Sequence, residues 1–273
     1  MSAKIKTQPQ TDEDVRQQLK LVIVGHVDHG KSTLVGRLLH DTNSLPDGKM
    51  DAIQASCKKR GMPFEWSFLM DALQTERDQG ITIDTTQIWL RTQQRDVVII
   101  DAPGHKEFLK NMITGASQAD AALVLIDAHE GIREQSKRHL LHLLGVRQIA
   151  VLVNKMDMVS YSEDAFRKIE KDYRDYLASV GVVPTCFIPI SAREGDLIAG
   201  QSARMPWYNG ASVTDVLDTF AVAVPDSNQP LRFPVQDVYK FDERRILVGR
   251  IESGSLKAGD TLLFSPTNTQ VKV

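Results

Sequence analysis

The sequence predicts an α/β protein: a mostly parallel, doubly wound sheet with one antiparallel strand, followed by the opening of an all-β barrel. Three observations carry that prediction. Short, continuously apolar runs alternate with helical patterns up to about residue 224. Two of those runs are joined by only "RTQQR" (91–95). After a polar segment with two prolines, "AVPDSNQP" (223–230), the texture changes to short strands with glycine turns.

The elements follow in order. Residues 1–18 are polar, lack the apolar stretch of a secretory signal, and are expected to form a flexible tail. "LVIVG" (21–25) is the first strand, and a helical pattern covers 31–40. "TIDTTQIWL" (82–90) and "DVVIID" (96–101) are the next strands. Their link is too short for a parallel crossover, so they are expected to pair antiparallel. Helical patterns over 106–114, 133–144, 162–180 and 213–223 alternate with strands "AALVLID" (121–127), "IAVLVN" (149–154) and "CFIPIS" (186–191). Most runs are apolar throughout, as strands covered on both faces must be. This first domain is expected over 19–224. Residues 225–273 are read as a linker and a partial barrel, with strands in "LRFPVQDVYKF", "RILVGRIESG" and "TLLFSP". So few strands do not close a barrel, so the chain is expected to be a piece of a longer protein; a two-hairpin appendage is the alternative.

Bulk properties set limits. A net charge of −2 provides no whole-chain basic field for nucleic acid, though a local basic patch stays open. The two cysteines, Cys57 and Cys186, form no CxxC pair, which argues against a cysteine metal site and for a reducing, cytoplasmic setting. No run of 18 apolar residues occurs, so no membrane span is expected. "CKKR" (57–60) reads as a solvated surface. His139 and His142 read as a solvated helix face, and Trp66, Trp89 and Trp207 as core or linker packing.

The chemistry lies at the strand ends. "GHVDHGKST" (25–33) fits GxxxxGK[ST] between a strand and a helix, the setting of a P-loop. The glycines let backbone N–H groups converge on phosphate oxygens, and the helix adds its positive end. Lys31 would reach the β- and γ-phosphates, and Ser32 would offer a hydroxyl to Mg²⁺. Asp101 in "DAPGH" (101–105) can hold that ion through a water, and Gly104 can bring its N–H to the γ-phosphate. Taken alone, DxxG reads more readily as a plain turn.

"NKMD" (154–157) points to guanine. The Asp157 carboxylate can accept from guanine N1–H and the exocyclic amine. Adenine presents an acceptor at that ring position, and mismatches of this kind discriminate by roughly 10⁴ or more. Asn154 would brace neighbouring loops, and the Lys155 stem could cover the base. In "SAR", Ser191, Ala192 and Arg193, the Ala192 N–H could meet guanine O6. All four motifs fall at carboxyl ends of apolar strands, the edge where open α/β sheets bind ligands. The long connection between helix 31–40 and strand 82–90 is of a length that is usually functional. Within it, Thr82 is the group expected to reach Mg²⁺ and γ-phosphate when GTP is bound. The first domain is therefore expected to be a P-loop NTPase G domain taking GTP/GDP and Mg²⁺. Val27, Asp28, His29, Gly30, Lys31, Ser32 and Thr33 are assigned to nucleotide contact, and Lys31 and Thr82 also to catalysis.

"GHVDHGKST", "QGITID" (79–84), "DAPGH", "NMITGASQAD" (111–120) and "NKMD" resemble the translation-factor class of GTPases, the group of elongation factors Tu and 1A. The resemblance extends over about residues 19–273. It implies that His105 positions the attacking water, that Val27 and Ile81 form an apolar gate in front of it, and that Asp28 helps hold a monovalent cation such as K⁺. No glutamine follows "DAPG", which leaves His105 as the water-orienting group. Within the class, "GRLLHDT" (36–42), "FLMDALQTERDQGITIDTTQ" (68–87), "YSEDAF" (161–166) and "SAREGDLIAGQSARMPWYNG" (191–210) are similar to the GTPase subunit of sulfate adenylyltransferase. That resemblance implies hydrolysis coupled to formation of adenylyl sulfate on a separate catalytic small subunit. His26 and His29 depart from the Ser-Val-Asp-Asp common in that branch and match translation factors, so action on tRNA and ribosome is the alternative.

Overall fold

The computed structural model describes residues 16–70, 87–101, 119–132, 146, 148–222, 228–240, 245–249 and 251–273. The chain divides into two compact units, one ending at Val222 and one starting at Ala223.

The first unit is built on a six-stranded sheet in the order β2-β3-β1-β4-β5-β6. The strands are β1 (Gln18–Gly25), β2 (Gln87–Arg91), β3 (Asp96–Asp101), β4 (Ala121–Asp127), β5 (Gln148–Asn154) and β6 (Cys186–Pro189). β1, β3, β4, β5 and β6 run parallel, while β2 pairs antiparallel to β3. The sheet therefore has the predicted class, including its single antiparallel strand. All seven residues of β4 are buried, as a central strand covered on both faces requires. On the edge strand β2, burial alternates: Ile88 and Leu90 point inward and Trp89 is 54% exposed. Trp89 is thus not the packing residue that was expected.

Helix α1 (Lys31–Asp41) buries Leu34, Val35, Leu38 and Leu39. Helix α3 (Glu163–Ser179) presents Phe166, Ile169, Tyr173 and Leu177 to the core, and its N-cap Ser162 accepts from the Ala165 N–H. Helix α4 (Val213–Thr219) opens with a capping box between Ser212 and Asp215. It stops short of the predicted end because the Gln148 side chain captures both the N–H and the carbonyl of Ala221, each at 2.7 Å. Helix α2 (Lys49–Arg60) lies inside the long connection and was not foreseen. It buries only Ile53 and Cys57, against Leu69, too faint a stripe to read as periodic. Lys58, Lys59 and Arg60 of "CKKR" are exposed in its last turn, where cations complement the helix dipole. The four-residue link between β2 and β3, residues 92–95, is pinned to the end of α4. Thr92 bonds the Asp218 carboxylate, and Arg95 donates to the carbonyls of Phe220 and, at 2.7 Å, Asp218.

The second unit contains two antiparallel pairs: β7 (Val235–Lys240) with β8 (Arg245–Gly249), and β9 (Thr261–Phe264) with β10 (Thr269–Lys272). Among the described residues these form separate two-stranded sheets, the start of a β-rich region rather than a closed barrel.

Core burial places the weight of stability in the first unit. Leu123→Ala in β4, at 0% exposure, is expected to lower unfolding free energy by about 2–5 kcal/mol. Val271→Ala, at 45% exposure, should change it by about 0.5 kcal/mol or less. Urea denaturation of both variants checks the contrast.

Candidate functional site

The parallel sheet brings the carboxyl ends of β1, β4, β5 and β6 to one edge, and β1 sits where the strand order reverses. Residues 26–30 turn between β1 and α1. Asp28 (φ 67°) and Gly30 (φ 88°) both take left-handed backbone conformations. A Cβ on Gly30 would also lie 2.5 Å from Asn154 Nδ2, so both backbone and packing call for glycine here. Helix α1 has no side-chain N-cap and no acidic residue in its first turn. Its leading N–H groups are thus not capped by a side chain, the arrangement an anion favours.

Three side chains shape the loop. Lys31 Nζ donates to the carbonyls of Gly25 (2.8 Å) and His26 (2.9 Å), which folds the ammonium back over the turn. His29 is 1% exposed; its Nδ1 lies 3.0 Å from the Leu125 carbonyl of β4. Burial holds the His29 imidazole below its ordinary value of 6.5, helped by His26 and opposed by the Leu125 carbonyl, Asp127 and Glu130. Val27 is 40% exposed, Ser32 is exposed, and Thr33 is half-buried.

The loops after β5 and β6 complete the site. Asn154, 2% exposed, donates to the His29 carbonyl at 2.8 Å and accepts from the Ala192 N–H at 3.0 Å. It bridges the three segments. Ser191 donates to Asp157 Oδ1 at 2.6 Å and accepts from the Glu194 N–H at 3.2 Å. The carboxylate is thereby oriented on its loop. Lys155 (φ 65°) pairs with Asp127 at 2.6 Å. Burial pushes the Asp127 carboxyl up, but the Lys155 hydrogen bond, the amides of His129 and Glu130, and the Lys155 charge together bring it below its ordinary value. Asp127 was not singled out from sequence. Its signal was available: it ends an apolar strand as Asn154 does, and the two are register partners.

Gly30, Thr33, Asn154, Lys155, Asp157 and Arg193 line one cavity of about 520 Å³, a size that accommodates a small ligand. Residues 63–66 form a further wall, which no motif announced. Ile81, Thr82, Gly104 and His105 lie outside the described residues, as do His139 and His142, and Asp101 is described only as the last backbone position of β3. Cys57 is buried, and burial pushes the Cys186 thiol up to about 11, so Cys186 is not an activated thiol. Among the described residues, no three His, Cys, Asp or Glu side chains cluster to hold a metal, and no helix is long and apolar enough to cross a membrane.

Residues 16–226 match the family described as "Elongation factor Tu GTP binding domain". The chain belongs to this family. It is 43% identical over 257 residues to elongation factor 1-alpha of Thermococcus onnurineus and, to the same extent, to that of Pyrococcus abyssi. Each alignment covers 93% of this chain and 60% of the relative, so the chain spans about 60% of the length of these proteins. Among solved structures it is similar to sup35 complexed with GDP, with a TM-score of 0.56 and 26% identity, over 98% of this chain and 60% of that one. A bacterial selenocysteine-specific elongation factor shares the fold, with a TM-score of 0.52 and 24% identity, over 93% of this chain and 38% of that one.

Two outcomes follow from the geometry. Asn154→Ala strands the His29 carbonyl and the Ala192 N–H, and should cost about 1–3 kcal/mol in denaturant unfolding without added nucleotide. His29 gives a pH signature. Its folded-state value lies below 6.5, so the unfolded chain takes up the proton first as pH falls. This contribution to stability is complete above pH 6.5 and is lost progressively below it. Unfolding midpoints at pH 7.5 and 5.5 should therefore differ more in the wild type than in His29→Gln.

Proposed function

We propose that this chain is the GTP-binding and GTP-hydrolysing part of an elongation-factor-type switch that acts with tRNA and the ribosome. The observation that carries the reading is one cavity shared by Gly30 and Thr33 at the start of α1 and by Asn154, Lys155 and Asp157 after β5. Phosphate chemistry and guanine chemistry meet there. The 43% identity to elongation factor 1-alpha supports the translational partner.

In this reading the nucleotide phosphates lie against the loop amides and the first turn of α1, where Lys31 supplies positive charge. Asp157, aimed by Ser191, accepts from the guanine N1–H and amine, and Ala192 N–H meets O6. Phosphoryl transfer needs positioning and charge neutralisation more than covalent chemistry. His105 orients the water, with Val27 and Ile81 as its apolar gate. Mg²⁺ suits the donor set, since one hydroxyl from Ser32 leaves the remaining positions to phosphate oxygens, waters and Thr82, with Asp101 reached through water. That ion, when bound, offsets negative charge between the phosphates. Asp28, at the exposed turn of the loop, is the proposed K⁺ contact.

A second reading, a GTPase subunit working with the catalytic small subunit of sulfate adenylyltransferase, rests on "GRLLHDT" and "IAGQS". The two readings differ in which partner stimulates turnover. GTP hydrolysis measured alone, with ribosomes, and with a sulfate adenylyltransferase small subunit should rise with ribosomes; a rise with the small subunit alone would move the chain to the sulfate branch. His105→Ala should lower the stimulated rate by about 10²-fold or more. Fast unstimulated hydrolysis that ignores this change would overturn the role of His105. Base selection has its own check. Asp157→Asn turns one acceptor oxygen into a donor facing the guanine amine. GDP affinity should fall by about 10²-fold or more, while xanthosine diphosphate, with a carbonyl at that position, should bind better than to wild type; titration with both nucleotides tests this.

A further inference from the structure

The cavity has a wall that none of the nucleotide motifs explains. Residues 63–66 form a strap along it, and Pro63, Phe64, Glu65 and Trp66 all line the space that Asp157 and Lys155 line. The strap is held in a built seat. The Trp66 indole N–H donates to the Arg193 carbonyl at 3.0 Å, which ties the strap to the loop that follows β6. The Trp66 ring meets the Phe64 ring edge-on at 5.1 Å and the His40 ring at 4.8 Å. The Arg37 guanidinium lies 4.9 Å from the Trp66 ring centroid. Arg37 is itself fixed by Asp41, at 2.9 and 2.8 Å, and donates to the same Arg193 carbonyl at 3.4 Å.

Two glycines make the seat possible. A Cβ on Gly36 would overlap the Trp66 carbonyl oxygen, so only glycine lets the strap approach α1 this closely. A Cβ on Gly195 would overlap the Arg37 guanidinium. Gly36, Arg37, His40 and Asp41 all fall in "GRLLHDT", and Arg193 and Gly195 in "SAREG". "GRLLHDT" carries no nucleotide motif of its own, and "SAREG" adds Gly195 to the "SAR" loop. Their physical role in this chain is to seat an aromatic strap beside the guanine-side loop.

We propose that residues 63–66 are a fourth wall of the nucleotide site, closing over the nucleoside end, with Phe64 as a contact and Trp66 as the positioning residue that holds the wall. The wall slows release of bound nucleotide. Because it borders the base side rather than the γ-phosphate side, it slows GDP and GTP alike. The proposal rests on the nucleotide reading of the cavity.

Stopped-flow release of N-methylanthraniloyl-GDP, chased with excess GDP, tests it. Trp66→Ala and Gly36→Ala are expected to release the probe about threefold to tenfold faster, the scale of one lost aromatic contact. Trp66→Phe should fall between them and wild type, and association rates should change by less than about twofold, since most such effects lie in release. Gly36→Ala displaces the strap without altering a cavity-lining side chain, so it separates the wall's position from its composition. Tryptophan-to-probe energy transfer gives a proximity readout that stability does not move. It should drop in Trp66→Phe while the probe remains bound. Phe64→Leu carries the release test if circular dichroism shows that Trp66→Ala does not fold. Folded variants that all release at the wild-type rate, with energy transfer unchanged in Trp66→Phe, overturn the proposal and leave the nucleotide site standing. A wild-type chain that binds no labelled GDP overturns both readings.

Discussion

Asn154 donates to the His29 carbonyl and accepts from the Ala192 N–H, and the rest of the candidate site depends on that pair of bonds. It joins the turn after β1, the turn after β5 and the turn after β6 through one buried amide. A carboxamide is suited to this, since it offers a donor and an acceptor on one rigid plane. The close approach is bounded by Gly30, whose missing Cβ leaves room for Asn154 Nδ2. The sheet sets up the bridge beforehand: β4 pairs with both β1 and β5, and β5 with β6.

The charged groups near the bridge are tethered in complementary ways. Lys31 is held by two loop carbonyls, and Lys155 by the Asp127 carboxylate. A lysine is a flexible point charge that loses considerable rotamer freedom when fixed, so tethering before a ligand arrives lowers the cost of binding. On the acidic side, Ser191 orients Asp157 through a short hydrogen bond. The geometry is one of pre-set donors and acceptors around a cavity, with the aromatic strap tied to the loop after β6.

Legibility differed sharply between elements. The strands were plain because β4 and β5 are apolar throughout, and the link between β2 and β3 is too short for anything but a hairpin. The motif residues Gly30, Asn154, Asp157 and Ala192 stood out for the same reason, lying directly after such strands. Helix α2 was not legible, because it buries only Ile53 and Cys57. Trp89 was misread as a packing residue because it sits inside an apolar run, yet alternation on an edge strand turns it to solvent. Asp127 ends an apolar strand as Asn154 does, but no motif surrounds it, and its partner Lys155 reaches it only from the next strand.

By itself the sequence determined the α/β class, the single antiparallel strand, and the strand-end positions of "GHVDHGKST", "NKMD" and "SAR". These follow from local rules: unbroken apolar runs, link length and loop chemistry act within a few residues of each other. Tertiary structure alone decided how those motifs meet. The Lys155–Asp127 pair, the His29 ring against β4, and the seating of Trp66 between α1 and Arg193 join residues 28 to 127 positions apart in the chain. Such contacts are set by sheet order and by which neighbours lack a Cβ, and neither is written at any one position of the sequence.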